Sequence, residues 1–190
     1  MRLFIAIDLP DEWRRILARP EESIGWLGRG VKWVEPRGMH LTLKFLGEVE
    51  EQLLPDIRNG MAAACEGIQP FTIRLRGTGV FPNAKRPRVY WAGIEGPPSL
   101  LELQARVDAE MQRLGFDAEE REFRPHLTLA RIKDPIGKQR MTDALLSYAL
   151  ESEPAEVREL LLMRSHLSSE GARYEPIGRC ALGGDALPSA

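Results

Sequence analysis

The chain has 190 residues, 43% hydrophobic and 28% charged, with 26 Lys and Arg against 28 Asp and Glu and a net charge of -2. It is long enough to bury an adequate core as one large domain or two intimately packed lobes, and its near-neutral charge excludes a global basic field, so any contact with nucleic acid has to be local. The two isolated cysteines, Cys65 and Cys180, exclude a disulfide framework or thiolate metal site and are expected to be reduced.

Taken in order, Leu3-Phe4-Ile5-Ala6-Ile7 reads as a buried strand. Asp8 ends it too early for a signal segment or a membrane span, so a cytoplasmic protein is expected. Pro10-Asp11-Glu12 opens a helix with acidic residues at its positive end and an apolar stripe of Trp13, Ile16 and Leu17. Glycines 25, 28 and 30 end that segment, Val31 to Val34 is a short strand, and Pro36-Arg37-Gly38 is a turn. Residues 39–46 form a strand that Gly47 closes. Helical spacing follows over 50–66, then alternation over 71–80, and another strand over 88–94. Residues 98–114 are a strongly amphipathic helix. Pro125 precedes a strand over 126–132, a helix covers 138–150, and two strands follow over about 155–166 and 172–182. Gly183 to Ala190 reads as a loose tail, leaving residues 1–182 as a single bilobal domain. The mixture predicts an α+β fold, with antiparallel sheets and helices on the outer faces.

Two of these strands nearly repeat each other: His40-Leu41-Thr42-Leu43-Lys44 and His126-Leu127-Thr128-Leu129-Ala130, 86 positions apart, hold two of only three histidines. In a strand, residues i and i+2 share a face, so each imidazole projects beside its threonine. One such strand means little, whereas two look like half-sites brought together by an internal duplication. Imidazole, with an ordinary pKa near 6.5, can be neutral in one copy and protonated in another at neutral pH. Paired on opposite sides of a phosphodiester, the two can act as base and acid without a metal. The threonine hydroxyls are suited to non-bridging phosphate oxygens.

With its opening Phe4-x-Ala6-Ile7, Gly38 to Gly47, Pro87-Arg88-Val89-x-Trp91-x-Gly93, Phe123-x-Pro125 to Arg131 and Gly171-Ala172-Arg173-Tyr174, the chain resembles the two-histidine phosphoesterase superfamily. Within it, the chain is most similar to the RNA 2′,3′-cyclic phosphodiesterases, up to about residue 182. The resemblance implies a bilobal, pseudo-two-fold fold whose two sheets face a central cleft. It also implies cofactor-free, metal-independent opening of RNA 2′,3′-cyclic phosphates to 2′-phosphates, and the related joining and splitting of 2′–5′ linkages. His126 would be the base and His40 the acid, with Thr42 and Thr128 on the phosphate. Expected partners are an RNA cyclic-phosphate end or a small cyclic nucleotide, bound by a monomer with no membrane.

Further candidates are less direct. Lys44 would share a face with His40 and Thr42 by strict alternation, and either a phosphate contact or a solvated charge suits it. Arg131 would face away from His126 unless a bulge turns it back. The basic Lys85-Arg86-Pro87-Arg88 loop lies beside Phe81, Tyr90 and Trp91, and at most one of Phe45, Phe81 or Trp91 is expected to touch a base. Two rival readings use the same residues: a cleft that binds RNA ends or nucleotides without turnover, and a zinc hydrolase that adds His166.

Overall fold

Both faces of the first strand are apolar, and both are buried. The computed structural model describes residues 1–168 and 171–183; residues 184–190 of the expected tail lie outside these. In β1 (Arg2–Ile7), Leu3, Ile5 and Ile7 join the main core, while Phe4 and Ala6 form a separate cluster with Leu161 and Met163. The strand therefore sits inside a sheet covered by helices on one side and bordered by a cleft on the other. That sheet has the antiparallel order β3 (Leu41–Glu48), β1, β8 (Glu159–Ser168), β9 (Gly171–Ala181). Helices α2 (Leu54–Cys65) and α3 (Pro98–Arg113) cover its outer face and pack on each other. Their stripes, Ile57, Met61 and Ala64 against Leu103, Val107 and Met111, are fully buried. A glycine at 60 permits the close approach, since a Cβ there would lie 2.8 Å from the Met111 terminal methyl.

The second sheet has the order β2 (Val31–Trp33), β6 (His126–Ile132), β5 (Val89–Glu95), β4 (Phe71–Phe81), β7 (Ala155–Val157), again antiparallel. Helices α1 (Asp11–Ile24) and α4 (Gln139–Leu146) accompany it, with α4 against β4 and α1 against α4. No helix among the described residues is long and apolar enough to cross a membrane.

Three expectations change. The strand expected over 155–166 is two strands divided at Arg158: β7 pairs with β4 in one sheet, and β8 with β1 in the other. The junction, Val157-Arg158-Glu159-Leu160, holds neither glycine nor proline, so no turn residue marks this change of sheet. The helix expected to 150 stops at Leu146. Gly47 does not close β3; it lies within it at φ 71°, where the pairing with β1 slips by one residue. A positive φ of that kind suits glycine.

Candidate active site

The two motif strands carry the same irregularity at the same place. In β3, Thr42 lies opposite Ala6, but Lys44 lies opposite Ile5, so one residue on β1 faces two on β3. In β6, Thr128 lies opposite Trp91, but Ala130 lies opposite Tyr90. Leu43 and Leu129 are thus the extra residues of two equivalent β-bulges, and each bulge re-aims the side chains beyond it. Leu43 and Lys44 are buried, as are Leu129 and Ala130, whereas Phe45 and Arg131 emerge exposed and line the same cavity as the motifs. Position five after each histidine is therefore returned to the cleft. In one lobe it is an aromatic ring, in the other a guanidinium.

This overturns the alternation that placed Lys44 beside Thr42. Lys44 borders the cavity, but its ammonium, 4% exposed, donates to Asp108 Oδ1 at 2.5 Å and to the Asp117 carbonyl at 2.5 Å. Burial pushes the Asp108 carboxyl up, but the Lys44 hydrogen bond and charge, with the Glu119 N–H and Gln112, hold it below its ordinary value. Lys44 is thus held by α3 rather than presented to an anion.

Each histidine is oriented by the carbonyl two residues before it. His40 Nδ1 lies 3.2 Å from Gly38 O, and His126 Nδ1 lies 2.7 Å from Arg124 O. A carbonyl only accepts, so Nδ1 carries the proton in both rings and Nε2 is left for chemistry. Aromatic edges complete each seat. Phe4 and Tyr174 meet the His40 ring with centroids at 6.0 and 5.5 Å, and Phe81 meets that of His126 at 5.0 Å. His40 does not belong to its strand, which begins at Leu41, whereas His126 opens β6.

The lobes differ in charge. Asp8, at the end of β1, places Oδ1 3.8 Å from His40 Nε2 and also accepts from Arg14 at 2.6 Å. Burial lowers the His40 pKa, Asp8 and the Gly38 carbonyl raise it, Arg14 lowers it, and burial prevails.

His40, His126, Thr42, Thr128, Phe45, Phe81 and Arg131 all line one cavity of about 1120 Å³ between the sheets. Among the described residues, the hydroxyls of Thr42 and Thr128 make no hydrogen bond, and Arg2, Arg121 and Arg131 make neither hydrogen bond nor ion pair. Trp91 departs from expectation. It does not line the cavity; it lies over Gly79, with Phe81 tilted against it at 5.3 Å, and supports the His126 ring from 6.3 Å. Its indole N–H is buried without a partner among the described residues. Of the basic loop, Arg88 reaches the cavity wall, with Nη1 on the Lys133 carbonyl. His166 does not join the pair, since its Nε2 is 2.9 Å from Glu175. No three His, Cys, Asp or Glu side chains are grouped to hold a metal among the described residues.

No sequence motif flagged Asp8, which lies beside His40, or Arg2, which lines the cavity. The only sign of either was a charge at each end of an apolar strand.

The chain matches the 2′-5′ RNA ligase superfamily over residues 11–168. It is 37% identical over 175 residues to an RNA 2′,3′-cyclic phosphodiesterase of Methanothermobacter thermautotrophicus, covering 92% of this chain and 95% of that one. It is 36% identical over 178 residues to one from Methanocaldococcus jannaschii, covering 93% and 98%. A crystal structure of a Thermus thermophilus protein superposes with TM-score 0.79 at 34% identity, over 97% of this chain and all of the other. Escherichia coli LigT complexed with 3′-AMP superposes with TM-score 0.72 at 28% identity, over 95% and 97%.

Proposed function

Since the chain belongs to the 2′-5′ RNA ligase superfamily, we propose that it is a phosphodiesterase that opens RNA 2′,3′-cyclic phosphate ends to 2′-phosphomonoesters. The observation that carries this reading is the convergence of both His-x-Thr faces on one cavity, with both Nδ1 atoms committed to carbonyls. The names of its relatives support it as well.

In this reading His126 Nε2 accepts a proton from water as the water oxygen bonds to phosphorus. The phosphorus–O3′ bond breaks, and His40 Nε2–H returns a proton to O3′. The Thr42 and Thr128 hydroxyls donate to the non-bridging oxygens, whose charge Arg131 balances. Phe45 and Phe81 offer rings to bases, and Trp91 keeps the His126 side of the site in place. Asp8 favours the acid role for His40, because a carboxylate beside Nε2 stabilises the protonated ring. An anionic phosphate entering the cleft acts in the same direction. Joining or splitting a 2′–5′ linkage is the same displacement, with a ribose hydroxyl in place of water. The substrates are an RNA end or a small cyclic nucleotide.

The test is to incubate a 2′,3′-cyclic oligoribonucleotide with the protein in EDTA and identify the product. A 2′-monoester is expected, and His40→Ala or His126→Ala should each lower turnover by about 10²–10⁴. A 3′-monoester would overturn the assigned leaving oxygen. Tight binding of a 2′-phosphate without turnover of any cyclic substrate would leave a binding module instead.

A further inference from the structure

The cavity does not end at the histidine pair. Register places His40 and Thr42 at the Ala6 end of β1, and Arg2 at the opposite end of the same strand. Between them lie Phe4 and its partner across the ladder, Phe45, with ring centroids 5.9 Å apart. Beside Arg2, on the next strand, is Ser165. All four line the cavity, so the cleft-facing side of this sheet is a continuous strip running from the catalytic end through two phenylalanines to an arginine.

Two properties of that strip are unexplained by folding. Phe45 is 65% exposed, although the bulge before it and the contact with Phe4 hold its ring in a fixed place. Arg2 is exposed, lines the cavity and has no hydrogen bond or ion pair among the described residues. The acid across the ladder from it, Glu48, lies 3.5 Å from the N-terminal ammonium. An open ring followed by an unpaired guanidinium is the pattern that holds single-stranded nucleic acid, the ring by stacking and the cation by its phosphate. The volume, about 1120 Å³, also exceeds the roughly 300–1,000 Å³ common for small-ligand sites.

We propose that Phe45 and Arg2 form a second nucleotide subsite, for the base and phosphate of the residue preceding the cyclic end, which makes an oligoribonucleotide the preferred substrate over a mononucleotide. This rests on the function proposed above and deepens it. Direction follows from chemistry: a cyclic phosphate closes the 3′ end of an RNA, so any further nucleotide lies on its 5′ side. Arg2 takes no part in the reaction at phosphorus, and its contribution is confined to substrates that carry that extra phosphate.

The experiment compares a cyclic-ended dinucleotide with a 2′,3′-cyclic mononucleotide in the wild type and in Arg2→Gln. The wild type should prefer the dinucleotide. Arg2→Gln should lower kcat/KM for it by about tenfold, the effect of losing one charge-assisted hydrogen bond, and leave the mononucleotide unchanged. The slope of log affinity against log salt for the dinucleotide should fall by about 0.7, the share of one single-strand phosphate contact. Equal losses on both substrates, no loss on either, or no wild-type preference would each overturn the subsite. Calorimetry with mono- and dinucleotide 2′-phosphates asks the same question without turnover. If the protein proves not to be an enzyme, an affinity advantage of the dinucleotide that Arg2→Gln removes supports the subsite, and the lack of any advantage sinks it.

Discussion

The Asp8 carboxylate stands 3.8 Å from the Nε2 of His40, and no carboxylate pairs with His126 among the described residues. Two rings seated alike by backbone carbonyls are thus made unlike by one acid. Asp8→Asn removes the largest influence raising the His40 pKa, so that value should fall further below its ordinary 6.5. The limb of the kcat/KM profile that reports the protonated acid should move to lower pH, with less activity at neutral pH. Profiles of the two proteins between about pH 5 and 9 decide it, and an unmoved limb would remove Asp8 from the mechanism. Because the folded His40 pKa is depressed, the unfolded chain binds more protons as pH falls below 6.5. Stability from this group is therefore full above pH 6.5 and is lost as pH drops through the folded value. His40→Gln should flatten that part of a stability-against-pH curve.

Arg131 reaches the cleft because of the bulge at Leu129, and it has no competing partner among the described residues. Arg131→Gln should lower kcat/KM by roughly ten- to a hundredfold, as expected for one charge-assisted hydrogen bond of about 1.5–3 kcal/mol. Arg131→Lys should retain part of the rate, because it keeps the charge but not the fork geometry. Steady-state kinetics with a cyclic nucleotide checks both.

Lys44 should behave in the opposite way. Its ammonium is buried on Asp108 and the Asp117 carbonyl, so Lys44→Met leaves a largely buried carboxylate without its cation. Breaking such a pair costs about 3 kcal/mol, reduced somewhat here by the Gln112 side chain and the Glu119 N–H that Asp108 keeps. Denaturant unfolding should show the loss, while kcat/KM of the folded variant changes little. A large fall in rate without loss of stability would restore Lys44 as a phosphate ligand.

Gly79 tests the support beneath His126. A Cβ at this position would lie 2.0 Å from the Trp91 ring, so Gly79→Ala has to push the indole out of place. The overpacking should cost about 1–3 kcal/mol. The displaced ring should disturb Phe81 and His126 and lower kcat as well as the thermal midpoint. If kcat is unchanged, Trp91 is packing alone.

Much of the fold can be read from local pattern. Strand β6 runs from His126 to Ile132 as expected, because Pro125 stops the preceding loop and alternation is clean as far as Leu129. Helix α3 covers nearly the expected residues, because its apolar stripe has one period throughout. The bulges were hidden. Leu43-Lys44 and Leu129-Ala130 are compatible with either face, so nothing in their composition announces the extra residue. For Arg131 the only hint was a family arginine that strict alternation pointed the wrong way. Likewise, no glycine or proline beside Arg158 breaks what reads as one strand, and only pairing with two different sheets divides it.

The partnership of His126 with Thr128 spans two residues of one strand, so it follows from strand geometry. The repeated motif made its counterpart at His40 and Thr42 equally open to view in the amino-acid order. Which cations are free to meet an anion was not. Lys44 is engaged by Asp108, 64 positions away, while Arg2 and Arg131 are left open among the described residues. Asp8 approaches His40 only because β1 and β3 lie side by side. Such choices rest on burial and on partners distant in the chain, which exist only once the two sheets have closed around the cleft.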